Sequence, residues 1–226
     1  MPIYALSEDI IFPDPNEAED GLVAVGGDLS PLRLLTAYSC GIFPWFNPGE
    51  EILWWSPNPR LVLFPSEVKV SKSLKRIIKS KKFEIKFDFD FSSVIRNCKN
   101  IARKDADGTW ITDEMELAYI ELNKIGAAHS VEVYENNVLV GGLYGVSLGK
   151  AFFGESMFSL TPNASKVALV ALANKLESYE FKFIDAQVPT EHLTSMGAKE
   201  ISRTIFLEQL NGALDFDSTI GSWSEL

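Results

Sequence analysis

Asp185 and Gln187 stand two residues apart in Phe183-Ile184-Asp185-Ala186-Gln187-Val188, an otherwise apolar run. Read as a buried strand, the run alternates its side chains between faces, so both polar groups project from one face, about 6 to 7 Å apart. Buried polar groups need partners. A carboxylate beside an amide can satisfy the backbone of a neighbouring loop, or it can bind and orient a polar substrate; the strand alone fits both readings. Upstream, Glu155 lies in Phe152-Phe153-Gly154-Glu155-Ser156-Met157-Phe158. A carboxylate flanked by aromatic and thioether groups could meet a cationic ligand, and it is equally an ordinary strand-end glutamate. The same run approaches the G-x-S-x-G nucleophile elbow, but Phe158 stands where the second glycine belongs, which argues against a serine hydrolase.

Other reactive residue types are scarce. His129 and His192 are the only histidines, which excludes a histidine-rich metal site, and each reads as a structural or surface residue. Cys40 and Cys98 form neither a disulfide framework nor a zinc spacing and fit a reducing cytosol. With 226 residues, 46% of them hydrophobic, the chain can bury a full core as one large domain or as a medium domain with a small one. The opening residues lack a basic region followed by an apolar stretch, and no apolar run is long enough to span a bilayer, so a soluble, unexported protein is expected.

The net charge of −10 argues against a polyanionic partner, but its distribution does not. Residues 69–82 carry Lys69, Lys72, Lys75, Arg76, Lys79, Lys81 and Lys82 with no acidic residue among them. Leu74, Ile77 and Ile78 recur at helical spacing over 71–80, which puts the basic residues on the outer face of an amphipathic helix. That face is either simply solvated or a phosphate-contacting patch built from Lys72, Lys75, Arg76 and Lys79.

Those residues need elements to hold them. Up to about residue 65 the chain is rich in Pro, Gly and Trp, with Ser30-Pro31 opening a helix that Gly41 ends. A small N-terminal α/β domain over 1–65 is expected, followed by a catalytic domain over 66–226. The second part reads as a strand at 83–87, a helix at 91–98 and a helix at 113–125 capped by Thr112. Strands at 130–135 and 138–146 flank the turn Asn136-Asn137, a third strand spans 150–155, and a long apolar helix at 164–179 leads into the strand of Asp185. Three antiparallel strands, a helix and a further strand resemble the acetyltransferase-like (GNAT) core: an α+β fold with a mixed sheet and flanking helices. That fold commonly holds the pyrophosphate of coenzyme A on a Gly-rich loop, yet 156–164 contains no glycine, which counts against an acyl-CoA-dependent N-acetyltransferase.

A longer series of motifs is more specific. Gly26-Gly27-Asp28-Leu29-Ser30, Gly41-Ile42-Phe43-Pro44-Trp45-Phe46, Trp54-Trp55-Ser56-Pro57, Gly108-Thr109-Trp110-Ile111-Thr112, His129-Ser130-Val131-Glu132-Val133, Gly141-Gly142-Leu143-Tyr144-Gly145-Val146, Gly154-Glu155-Ser156-Met157-Phe158-Ser159 and Ile184-Asp185-Ala186-Gln187-Val188 resemble, in order and spacing, the leucyl/phenylalanyl-tRNA–protein transferases. The resemblance runs from about residue 12 to residue 207. It departs at Phe153 and Ala186, where the family often carries cysteine.

The resemblance implies a cytoplasmic enzyme that moves Leu or Phe, with Met a further candidate, from aminoacyl-tRNA to the N-terminal Arg or Lys of a protein, creating a degradation signal. It implies no metal and no coenzyme, no membrane, and a monomer. It carries over Asp185 and Gln187 as the catalytic pair and Trp45 and Trp110 as residues of the terminal adenosine site, where a flat ring can stack on an unpaired base. Phe152, Met157 and Phe158 become candidates to line the Leu/Phe pocket, Glu155 to meet a cationic group, and Trp54 and Trp55 to pack the two parts together. An aminoacyl ester is already activated, so a neutral α-amino group needs alignment more than it needs a strong base.

Overall fold

The computed structural model describes residues 3–101 and 110–225. Gly108 and Thr109 of the tryptophan motif lie outside them. The first part forms a small sheet in the order β1-β2-β4-β3, from β1 (Tyr4–Leu6), β2 (Leu22–Gly26), β3 (Phe43–Pro44) and β4 (Leu53–Trp55). Helix α1 (Pro31–Ser39) packs beside it, with the Ser30 side chain capping its first turn and Gly41, at φ +73°, ending it as the sequence suggests. Buried Arg33 donates to the carbonyls of Ser7 and Asp9 and to Asp28, tying the leading segment to the helix.

The larger sheet has seven strands in the order β11-β5-β10-β9-β8-β7-β6. These are β5 (Arg60–Leu63), β6 (Glu84–Phe87), β7 (Ala128–Glu135), β8 (Val138–Leu148), β9 (Ala151–Ser159), β10 (Phe183–Gln187) and β11 (Lys199–Ile201). The helices are α2 (Lys72–Lys79), α3 (Phe91–Asn100), α4 (Asp113–Lys124), α5 (Ala164–Ser178), α6 (Glu191–Ser195) and α7 (Arg203–Leu214). The expected meander is β7-β8-β9, turning at Asn136 and Asn137 with φ of 50° and 62°. β9 runs four residues beyond the expected end because Gly141, Gly142, Leu143 and Tyr144 of β8 continue to pair with it. The sheets do not divide at residue 65: β5 precedes that point and belongs to the larger sheet, where Leu61, Val62 and Leu63 are buried.

The sheet has a core on each face. On one side α5 buries Val167, Ala168, Leu169 and Leu172 against Val131, Leu143, Phe152 and Ile184. On the other, Tyr38, Val94, Met115, Tyr119 and Phe206 from four helices meet Tyr144, Phe153 and Phe183, and Trp54 of the small sheet joins the same core. Among the described residues no helix is long and apolar enough to cross a membrane.

β9 and β10 are parallel, joined through α5, and their pairing ends at Phe153 opposite Asp185. Beyond that point β9 stays with β8, while β10 bulges at Ala186 to keep its register with β5. The strand ends therefore part, and a cleft opens between them.

The seat of α5 on β8 requires glycine. A Cβ at Gly141 would lie 2.4 Å from the Ala164 side chain and 3.1 Å from its carbonyl carbon. Gly141→Ala is expected to destabilise the fold by about 1–3 kcal/mol through overpacking, read as a lower urea midpoint at unchanged slope.

Candidate active site

The cleft between the parted strands is a cavity of about 510 Å³. One wall is apolar: Leu143, Phe152 and Met157 from the sheet face Leu169 and Leu172 of α5 and Ile184 of β10. Trp45, Trp110 and Ile101 also line it, Trp45 at the rim and 46% exposed. The Trp45 ring lies against Trp55, whose indole N–H donates to the Trp45 carbonyl at 2.7 Å. Trp54 is fully buried, donates to the Gly26 carbonyl and sits in the core shared with the larger sheet, where the sequence puts it between the two parts.

Polar groups gather in one corner. Glu155 is the only carboxylate among the described residues that line the cavity. Three groups hold it: the Tyr38 hydroxyl at 2.7 Å and the Gln187 amide nitrogen at 2.8 Å on Oε1, and the Tyr119 hydroxyl at 2.8 Å on Oε2. Tyr38 and Tyr119 also share a short hydrogen bond with each other; two hydroxyl protons cannot make three bonds, so the triangle is complete when Glu155 carries a proton on Oε2 and donates it to Tyr119, which donates to Tyr38. Glu155 Oε1 accepts, so the Gln187 nitrogen faces it and the amide oxygen of Gln187 is left for the cavity. Burial pushes the Glu155 carboxyl up to about 7, and the negative charge of Asp185 adds to the rise while the three hydrogen-bonding groups oppose it. Burial beside Glu155 likewise raises both tyrosines well above their usual range.

Asp185 is placed differently from Gln187. Its two oxygens take the Nε and Nη2 hydrogens of Arg60 at 2.8 and 2.6 Å, and its Oδ1 also accepts the Gln187 backbone N–H at 3.0 Å. It is fully buried and does not line the cavity. The regular alternation expected of the strand fails because Ala186 is an extra residue in the register and Gln187 takes φ of +63°. The two side chains are thereby aimed at different partners, Asp185 at Arg60 and Gln187 at Glu155.

Of the residues singled out from sequence, Trp45, Trp110, Phe152, Glu155, Met157, Phe158 and Gln187 come together around the cavity. Lys72, Lys75, Arg76 and Lys79 lie exposed on α2, which buries only Leu74, and none of them lines it. Ser156 lies inside β9 rather than at a strand-to-helix turn, so no nucleophile elbow forms. His129 is buried elsewhere with Asp88 at 2.8 Å. His192 does line the cavity, its pKa lowered by burial and by Lys166. Sequence reading missed Arg60, Tyr38 and Tyr119. Only Arg60 had a local signal, as a charged residue opening the apolar run Leu61-Val62-Leu63.

Glu155 supplies a test through pH. Its carboxyl binds a proton more tightly in the folded chain than in the unfolded one. Its contribution to stability is therefore fully present below the ordinary glutamate value and lost as pH rises through about 7. Glu155→Gln removes that loss, so its melting temperature should gain on the wild type between pH 5 and pH 8. It also gives residue 155 a donor beside its acceptor, so the Gln187 amide is free to turn round and present a donor to the cavity. Any reaction that uses Gln187 Oε1 should then slow by about 10²-fold in single turnovers. A melting difference that does not change with pH would contradict the assignment.

The family model described as leucyl/phenylalanyl-tRNA protein transferase matches residues 62–211, and that for the N-terminal domain of the same family matches residues 27–58. A leucyl/phenylalanyl-tRNA–protein transferase of Desulfatibacillum aliphaticivorans is 54% identical over 225 residues, covering 99% of this chain and 97% of that one. One of Azotobacter vinelandii is 55% identical over 200 residues, covering 88% of each. Among solved structures, an aminoglycoside acetyltransferase from a soil metagenomic sample covers 50% of this chain and 83% of its own at 15% identity and a TM-score of 0.38, too low to bear on chemistry. With matches across nearly its whole length, the chain belongs to the leucyl/phenylalanyl-tRNA–protein transferase family.

Proposed function

We infer that this protein transfers a leucyl or phenylalanyl group from aminoacyl-tRNA to the α-amino group of an acceptor protein beginning with Arg or Lys. It acts as a cytoplasmic monomer and without metal or coenzyme. The observation that carries this reading is the cavity itself: an apolar wall beside a single corner where an amide oxygen is presented by a buried carboxylate, in a chain of this family.

The aminoacyl side chain rests among Leu143, Phe152, Met157, Leu169 and Leu172, where aromatic, branched and flexible groups fit either donor. The terminal adenine stacks on Trp45 or Trp110 at the rim. The acceptor amine, in its neutral form, donates one N–H to Gln187 Oε1 and attacks the ester carbonyl. A carbon–nitrogen bond forms, the ester carbon–oxygen bond breaks, and the released ribose hydroxyl leaves with the proton that the amine gives up. Holding amine and ester together is worth about 7–11 kcal/mol, so no covalent intermediate is needed. Glu155 fixes the polarity of the amide and offers negative charge to the acceptor's cationic groups. Farther out, the basic face of α2 meets tRNA phosphates.

Incubation with leucyl-tRNA, acetyl-coenzyme A and an Arg-initiated peptide should extend the peptide by one leucine and leave it unacetylated, as read by mass. Acetylation without leucylation would overturn the reading. Replacing Lys72, Lys75, Arg76 and Lys79 with glutamine should raise the KM for aminoacyl-tRNA and flatten its salt dependence by about 0.7–0.9 log units for each phosphate left unneutralised. Aminoacylated adenosine, which lacks the phosphates, should react as before; equal losses with both donors would make the helix face structural.

A further inference from the structure

We propose that Arg60 is a positioning residue for this transfer, fixing Asp185 so that Asp185 holds the left-handed turn that aims the Gln187 amide into the cavity. The inference rests on the reaction proposed above. Arg60 begins β5, and Asp185 lies diagonally across the ladder on β10, where Val62 is its direct partner. Two nitrogens of one planar guanidinium meet the two carboxylate oxygens at 2.8 and 2.6 Å, a fork that fixes direction as well as distance. The Phe43 and Phe206 rings lie 4.7 and 4.5 Å from the guanidinium carbon, so the plane cannot swing. Phe43 also lines the cavity, which ties this stack to its wall.

Asp185 passes that order on. Its Oδ1 takes the Gln187 backbone N–H at 3.0 Å, at the residue whose φ of +63° is rarely adopted by any side chain other than glycine, asparagine or aspartate. Without that acceptor the turn loses its anchor and Oε1 its aim. Stability alone gives little reason for the ion pair. A buried pair is often matched by apolar residues of similar size, and here Arg60 Nη1 is buried without a partner among the described residues. Neither Arg60 nor Asp185 lines the cavity, so both act through Gln187.

The test is single-turnover transfer from leucyl-tRNA to an Arg-initiated peptide by wild type, Arg60→Lys, Asp185→Ala and the double variant, at a temperature where melts show each folded. Lysine keeps the charge and loses the fork. Arg60→Lys should transfer about 10- to 100-fold more slowly, the loss expected of a small misplacement. Its donor KM should stay within about twofold of wild type. The double variant should be no slower than Asp185→Ala alone. A folded Arg60→Lys that matches wild type, or losses that multiply in the double variant, overturns the proposal. If Arg60→Lys does not fold, Asp185→Asn takes its place: it keeps Oδ1 for the Gln187 N–H and Arg60 Nε but sets an amide nitrogen against Nη2 where Oδ2 stood, which breaks the fork, and a wild-type rate there overturns the proposal equally. Hydrogen exchange at the Gln187 amide reads the linkage with no substrate present and should be about tenfold faster in Arg60→Lys or Asp185→Asn. Unchanged exchange counts against the proposal. A wild type that transfers nothing refutes the reaction instead, and exchange still decides the linkage.

Discussion

The parting of two parallel strands governs this molecule. Through Phe153 and Asp185, β9 and β10 share a ladder; past it, each must find partners for its backbone elsewhere. β9 finds them in β8, and β10 in β5 at the cost of a bulge. The side chains at both strand ends then have no neighbouring strand between them. They line an open cavity whose far wall is α5. Collapse of that space is resisted from two directions. The glycine seat at Gly141 fixes the helix, and the Phe43–Arg60–Phe206 stack fixes the bulged strand.

Two buried carboxylates in this corner are given opposite surroundings. Asp185 has a guanidinium against both oxygens, whereas Glu155 has only neutral partners and the unfavourable charge of Asp185. Burial therefore dominates at Glu155, which titrates near 7 and faces the cavity, while Asp185 stays enclosed behind it.

Much of this was legible from local pattern. The Ser30-Pro31 helix start, the cap at Thr112, the Asn136-Asn137 turn and the apolar period of α5 are each set by a few adjacent residues, and the elements they mark are present. The small sheet was harder to read because its strands are two to five residues long, too short for a period to declare itself. The bulge at Ala186 escaped because alternation assumes a regular strand. Tyr38 and Tyr119 escaped for another reason: they reach Glu155 across sequence separations of 117 and 36 residues, and nothing local to either distinguishes it from a core tyrosine.

In the proposed transfer the group that meets the acceptor amine is an amide, a weak base, and its fixed polarity is what would let it suffice. With the nitrogen committed to Glu155, the Gln187 oxygen can only accept, and a neutral amine that donates one N–H to it has its lone pair turned away from that bond. On that proposal its aim is set by the turn at Gln187 and by the apolar wall beside which the ester would lie. A carboxylate at the same point would bind the protonated amine more strongly, the form that has no lone pair to attack with. Placing the buried charge one hydrogen bond behind the amide keeps its electrostatic benefit and leaves the nucleophile neutral at the point of attack.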